Sequence, residues 1–305
     1  MQQEWLAERF EEERRHLFGV AYRMLGSTSE AEDAVQDAWL RLSRSDADEI
    51  DNIGGWLTTV VARVSLNMLR SRKTRGELSL DAEPLGSRLP DPTVVLDDGT
   101  TQDPAERAML ADSVSIALLV VLDQLSPDER LAFVLHDLFA VPFDEIATML
   151  DRSSDSTRQL ASRARRRVRG RSAEGSGPDR EVTTQREVVD AFFAAAQDGD
   201  LDRLIGALHP DVVLHADLGS GITTYRGAAK VAGNAVMYAH ADRVTHSALV
   251  NGSAGVAITF HGKLYSVMAF TVVDGRITEI EAYAAPAQVA KLAASLGLES
   301  AHGKA

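Results

Sequence analysis

The chain has 305 residues, 45% of them hydrophobic and 25% charged, which is ordinary for globular protein and long enough for two or three domains. It contains no cysteine, which excludes disulfides, cysteine-ligated zinc and thiol catalysis. The net charge of −13 is unusual for a nucleic-acid binder, and the longest apolar run, Ile116 to Leu122, is too short to span a bilayer.

The charge is unevenly spread. Between Arg152 and Ser172 eight Arg stand against one Asp, inside an otherwise acidic chain. That pattern suits local contact with DNA, weak non-specific binding by the free protein, and delivery to DNA by a larger partner. The N-terminal stretch MQQEWLAERFEEERRHL is charged and has no apolar core of a leader, so a cytoplasmic location is expected.

Residues 4–25 predict an amphipathic helix with Trp5, Leu6, Phe10, Leu17, Phe18, Tyr22 and Leu25 on its apolar side, stopped by Gly26. Ser29 and Glu32 read as a capping box opening a second helix, in which Ala31, Val35, Ala38 and Leu42 face the core. Asp33, Gln36, Asp37 and Arg41 form a polar ridge beside Trp39 and Leu40; the plain alternative is a solvated face. Asp51 and Asn52 start a long helix. One stripe holds Leu57, Val61, Val64 and Met68, and a second holds Trp56, Val60, Arg63, Asn67 and Arg70. An aromatic followed by Arg and Asn along one face can stack on and bond unpaired bases, although a Trp at such a position is also at home in a core.

From Gly76 to Asp103 periodicity vanishes among Pro, Gly and acidic residues, which predicts a linker. Asp103, Pro104 and Glu106 open a helix to about Leu125. Ser126, Pro127 and Glu129 then cap a helix carrying Leu131, Val134, Leu135 and Leu138. Ala140 and Val141 break it, Pro142 starts a short helix, Asp151 and Arg152 make a turn, and Ser153 caps a third helix. Thr157, Leu160, Ala161, Ala164 and Val168 line one side of that helix; Arg158, Gln159, Ser162, Arg163 and Arg166 line the other. One anchoring face and one face of donors is what a recognition helix in the major groove requires.

Residues 15–75 and 104–170 resemble the two conserved domains of an extracytoplasmic-function sigma factor of the sigma-70 class. The blocks that carry the likeness are AYRMLGSTSEAEDAVQDAWLRL, GWLTTVVARVSLNMLRSR, LSPDERLAFVLHDLFAVPFDEIATML and TRQLASRARRRV, in that order. The resemblance implies two all-helical domains on a linker, binding core RNA polymerase and promoter DNA. It implies polymerase docking through Asp33, Gln36, Asp37, Trp39 and Arg41. Trp56, Arg63, Asn67 and Arg70 would hold the −10 element, and Arg158, Gln159, Ser162, Arg163 and Arg166 the −35 element. The family commonly has Asp where this chain has Asn67, and often Gly where it has Asp151.

A typical member would end near Arg171. Here residues 172–181 read as a second connector, followed by two helices and then strands at VVLHAD, VTHSALV, AGVAITF, LYSVMAFTVV and RITEIEAYA, with hairpin turns at 251–253 and Asp274-Gly275. A helix interrupts at GAAKVAGNAVMYA and another closes the chain. Through DGDLDRLIGALHPDVVLHAD, YRGAAKVA, ALVNGSAGVAITF and FTVVDGRITEIEAY, residues 183–298 resemble a SnoaL-like domain of the NTF2-like superfold, an α+β domain with a curved sheet around a pocket. The expected organisation is therefore 1–76, linker 77–103, 104–171, linker 172–181, and 182–305.

That second resemblance implies regulation of the sigma portion in cis, with no separate anti-sigma factor required and a monomer when free. Candidate pocket residues are His215, Asp217, Tyr225 and Tyr265, with His240 and His261 as further polar candidates. No cofactor, metal site, membrane association or catalytic activity is expected. Two other readings are a ligand-responsive helix-turn-helix regulator and an isomerase or cyclase activity in the last domain.

Overall fold

The computed structural model describes residues 2–45, 50–78, 89–97, 116–172, 182–239 and 242–301. By internal contacts the chain divides into two units, residues 1–86 with 118–173, and residues 87–117 with 174–305.

The first unit is helical. Helix α1 (Gln2–Leu25) ends at Gly26, whose φ of 69° is the left-handed conformation that closes a helix without a Cβ penalty. Helix α2 (Thr28–Leu42) starts two residues earlier than the expected box: its N-cap is Ser27 and not Ser29, no side chain caps it, and Ser29 instead meets the Ser27 hydroxyl at 3.1 Å. Helix α3 (Ile53–Leu78) is capped by Asn52, whose Oδ1 accepts the Gly55 amide at 3.0 Å. Leu17, Val20, Met24, Leu42, Leu57 and Val61 are fully buried where these three helices meet. Each such aliphatic side chain contributes about 1.5–3 kcal/mol of burial.

Helix α4 (Ile116–Asp123) precedes α5 (Pro127–Phe133). The portion of the expected helix from Asp103 to Ser115 lies outside the described residues. Ser126 and Glu129 make the full capping box at the start of α5. Beyond α5 the chain gains one residue per turn as a π-turn over Val134–Leu138, a local feature the periodicity did not announce. Ala140 at φ 55° breaks the run, as expected. Helix α6 (Phe143–Leu150) ends on Asp151 in the left-handed region, φ 54° and ψ 50°, so Asp does here what Gly often does. Helix α7 (Ser154–Ser172) is capped by the Ser153 hydroxyl, which accepts the Ser156 amide at 3.2 Å.

The second unit is α+β. Helices α8 (Val182–Asp198), α9 (Leu201–Ala207) and α10 (Ala228–Tyr238) cover one face of a seven-stranded sheet; α11 (Pro286–Ser295) packs on strand β6. The strands are β1 (Val94–Leu96), β2 (Leu208–Asp217), β3 (Ile222–Arg226), β4 (Arg243–Val250), β5 (Ser253–Phe260), β6 (Lys263–Val273) and β7 (Arg276–Tyr283). Their order is β1-β4-β5-β6-β7-β2-β3, antiparallel throughout except for the parallel β2–β7 pair. The turns at Asn251-Gly252, His261-Gly262 and Asp274-Gly275 have positive φ at both residues, the geometry that matches strand twist in a tight hairpin. Register shifts in β2, β5–β6 and β6–β7 bend the sheet. The core between helices and sheet is built on Phe192, Leu204, Val212, Val231, Val256, Phe270 and Ile280.

Two expectations need correction. The stretch 77–103 is not linker throughout: Val94–Leu96 pair with Val250, Leu249 and Ala248, forming the sheet's edge strand. Asn251 fastens it, its Oδ1 accepting both the Thr93 amide at 2.7 Å and the Thr93 hydroxyl at 2.9 Å. Strand β3, ITTYR, is also an addition to the expected set. Both are short edge strands whose pairing comes from distant partners, and local pattern carries little of that.

Candidate functional site

Side-chain constellations stand out on three helices of the helical unit, α2, α3 and α7, and at a cavity of the sheet unit. On α2, Asp33, Gln36 and Arg41 are exposed and Asp37 is half-buried, paired with Arg41 at 2.9 Å across one helical turn. Trp39 is half-buried rather than free: its ring lies 5.1 Å from that of Phe10 on α1. Ala7, Phe10, Glu11, Arg14, Val35 and Gln36 form a shallow groove beside it.

On α3, Arg63, Asn67 and Arg70 are exposed and Trp56 is half-buried, so the stripe reaches solvent at one turn after another. On α7, Arg158, Gln159, Ser162, Arg163 and Arg166 are all exposed, while Thr157, Leu160, Ala161 and Ala164 are buried on the opposite face. Two-sidedness of this kind anchors the helix and leaves its donors turned outward.

The two basic faces converge on adjacent carboxylates at the start of α5. Asp128 accepts Arg70 of α3 at 2.8 Å and Arg152, in the turn before α7, at 2.9 Å. Glu129 accepts Arg163 at 3.1 Å and Arg167 at 2.7 Å while also closing the Ser126 capping box. Burial by itself would raise both carboxyls. The hydrogen bonds and positive charge more than offset it, from Arg70 and Arg152 on Asp128 and from Ser126, Arg163 and Arg167 on Glu129, and both pKa values lie below the ordinary range.

Next to them Arg130 is almost fully buried, at 2% exposure. Its Nε donates to the Arg23 carbonyl of α1 at 3.1 Å and its Nη1 to Asp123 at 3.3 Å. Burial pulls its pKa down to about 10, against the opposing pull of Asp123. Phe139, just past the π-turn, rests its ring against His16 at 5.1 Å and under Arg23 at 4.9 Å. This junction was not legible beforehand, because a buried arginine reads as surface by residue type.

The sheet unit encloses an apolar cavity of about 160 Å³ between α8, α10 and the concave sheet face. Of the sequence candidates, Tyr225 and Tyr265 line it. His215 and Asp217 do not: Leu214, Ala216 and Leu218 face the cavity, and strand alternation turns the residues between them to the other side. His215 there meets Thr224 at 3.1 Å and Glu279 at 3.6 Å. Asp217, 2% exposed, accepts the Gly219 amide at 3.0 Å and shapes the following turn. The apolar set Val212, Leu214 and Ala216 already carried this answer. His261 sits in a tight turn against Phe260, and His240 lies outside the described residues. Sequence reasoning missed Arg243, Tyr238, Asn234 and Ser266 in the wall.

No helix among the described residues is long and apolar enough to cross a membrane, and those residues contain no group of three or more His, Asp or Glu that could hold a metal ion.

Comparison with known proteins gives this geometry a context. Residues 9–75 match the family model for Sigma-70 region 2 and residues 115–168 that for Sigma-70, region 4. The chain is 44% identical over 227 residues to the ECF RNA polymerase sigma factor SigJ of Mycobacterium tuberculosis, covering 73% of this chain and 69% of the relative. It is 34% identical over 289 residues to a probable ECF RNA polymerase sigma factor, SigI, of the same organism, covering 93% and 94%. The crystal structure of Mycobacterium tuberculosis SigJ superposes with a TM-score of 0.72 at 34% identity, covering 96% of this chain and all of that one. These findings support the sigma-factor reading over the ligand-responsive helix-turn-helix regulator and the isomerase or cyclase.

Proposed function

The chain belongs to the extracytoplasmic-function sigma factors of RNA polymerase, and on that premise we propose which of its surfaces do what. The family binds core RNA polymerase and promoter DNA. The α2 ridge of Asp33, Gln36, Asp37 and Arg41, with Trp39 at its margin, docks on core polymerase. Trp56, Arg63, Asn67 and Arg70 hold unpaired bases of the −10 element. Arg158, Gln159, Ser162, Arg163 and Arg166 read the −35 duplex in its major groove. Functional bounds follow the expected ones: 1–76 for polymerase and −10, 104–171 for −35, and 182–305 for regulation in cis. On this reading no separate anti-sigma factor is required, the free chain is a monomer, it works in the cytoplasm, and the last domain turns over no substrate.

One observation carries the DNA-reading part. Arginines from both basic faces are already bonded to anionic oxygens, Asp128 and Glu129, in a geometry a phosphate or base acceptor can replace. The cis-regulatory part is supported by the cavity in the last domain.

Run-off transcription with core polymerase tests the whole reading. Initiation is expected only when this chain is added, at templates carrying both elements. Tight operator occupancy by the chain alone, with no initiation from any template, overturns it. Asp37→Ala is expected to weaken binding to core polymerase with the melting temperature unchanged; unaltered affinity moves the docking surface elsewhere. A chain ending at Ser172 is expected to change promoter output, and unchanged output removes the cis-regulatory part.

A further inference from the structure

Among the described residues, the cavity of the sheet unit has one charged residue in its wall. Arg243 opens β4 and lies beneath two rings, with its guanidinium 4.2 Å from the centre of Tyr265 and 5.7 Å from that of Tyr238. Its Nη1 donates to the Tyr238 carbonyl at 2.8 Å. Its Nε is buried and has no acceptor among the described residues. A guanidinium N–H removed from water and left unbonded is costly, and an anionic acceptor relieves that cost. Among the described residues no Asp or Glu lines the cavity to serve as one.

The remainder of the wall is uncharged and mostly apolar, with Phe192, Phe193, Ile258 and Met268 prominent. Leu218 and Tyr238 line the cavity yet are 48% and 50% exposed, so it opens to solvent beside them. Its volume, about 160 Å³, is close to the ~150 Å³ of a dry apolar cavity that takes up benzene. Volume therefore limits the occupant's body to a single ring or a short acyl chain, and charge sets its polar end.

We propose that this cavity binds a small organic acid, its apolar body against the phenylalanines and its carboxylate on Arg243. The rings of Tyr238 and Tyr265 and the Tyr238 carbonyl hold the guanidinium in place, so that little side-chain freedom is lost on binding. Asn234, Thr245 and Ser266 add neutral hydrogen-bonding groups to the wall. The inference rests on reading this domain as regulatory. Binding to the free chain is measured without polymerase, so its failure is separate from failure of the sigma-factor reading.

The test is isothermal calorimetry on the full chain with phenylacetate and hexanoate, and with phenylacetamide as the neutral counterpart of the first. One site per chain is expected, with the amide about tenfold or more weaker than the acid. Arg243→Met should weaken phenylacetate by a similar factor and leave the amide unchanged. Ala235→Phe, which fills the cavity and keeps Arg243, should remove both. The proposal is overturned if neither acid binds, if acid and amide bind the wild-type chain equally, or if Arg243→Met binds the acid normally. Melting curves establish that each variant folds. The acid-to-amide ratio on the wild-type chain decides the matter even where Arg243→Met does not fold.

Discussion

Arginine does opposite work in the two units. In the helical unit Arg70, Arg152, Arg163 and Arg167 end on the carboxylates of Asp128 and Glu129, and these arginine side chains are 45–54% exposed. Such pairs contribute little to stability and exchange readily for another anion. In the sheet unit Arg243 is held by two rings and a carbonyl, with one donor buried and unused. Side-chain chemistry is identical in the two places, and what surrounds it decides whether the charge is on loan or reserved. Arg130 is a third case: its Nη2 is also buried without an acceptor among the described residues, but its Nε and Nη1 bond to two other helices and no cavity adjoins it in the way one adjoins Arg243, so its charge is structural.

That comparison can be broken at several points. Arg130→Met should have the largest effect, costing about 3 kcal/mol because Asp123 and the Arg23 carbonyl both lose their donor. Urea denaturation measures it, and a cost near zero would make Arg130 as dispensable as the exposed arginines. Arg158→Ala should weaken binding at one promoter position by about 1–3 kcal/mol, and equal loss on all promoters would reduce its role to general phosphate attraction.

Glu129→Ala removes half of a capping box together with two ion pairs and should cost about 1–2 kcal/mol of helical-unit stability. The same group makes that stability depend on acid. The folded carboxyls of Asp128 and Glu129 titrate below their ordinary values of 3.8 and 4.5, so their contribution is complete above about pH 5. It is lost as pH falls through the lower folded values. Glu129→Gln keeps the capping box and should flatten this acid limb in a melting-temperature series. Asp128→Asn is the mildest change, about 0.5 kcal/mol, and it should raise the DNA affinity of the free chain by releasing Arg70 and Arg152. Unchanged or lower affinity would show that these pairs do not compete with DNA.

How much of this was readable beforehand follows from how local each determinant is. The helix-turn-helix was legible residue by residue, since Ser126, Glu129, Ala140, Asp151 and Ser153 act within four residues of themselves. The outward faces of α3 and α7 followed from helical spacing alone. Strand β1 was not legible, because three residues in an acidic, Pro-rich run become a strand only when β4 is there to pair with. Alternation puts His215 and Asp217 on one side of β2. The choice of side lay in the neighbouring Val212, Leu214 and Ala216, whose burial settles it. Arg243 is a lone basic residue at a strand start, and nothing in the order of residues separates it from an ordinary solvated one.

The edge strand has a consequence for folding. Residues 79–115 join α3 to α4, and Val94–Leu96 of that run are knitted to β4, with Thr93 clasped by Asn251. Asn251 also sits in the left-handed turn that closes the β4–β5 hairpin, so one residue shapes the hairpin and pins the strand beside it. The edge strand can therefore settle only after that hairpin has formed, and losing the Asn251 side chain would leave the rim of β4 open to pairing with other strands.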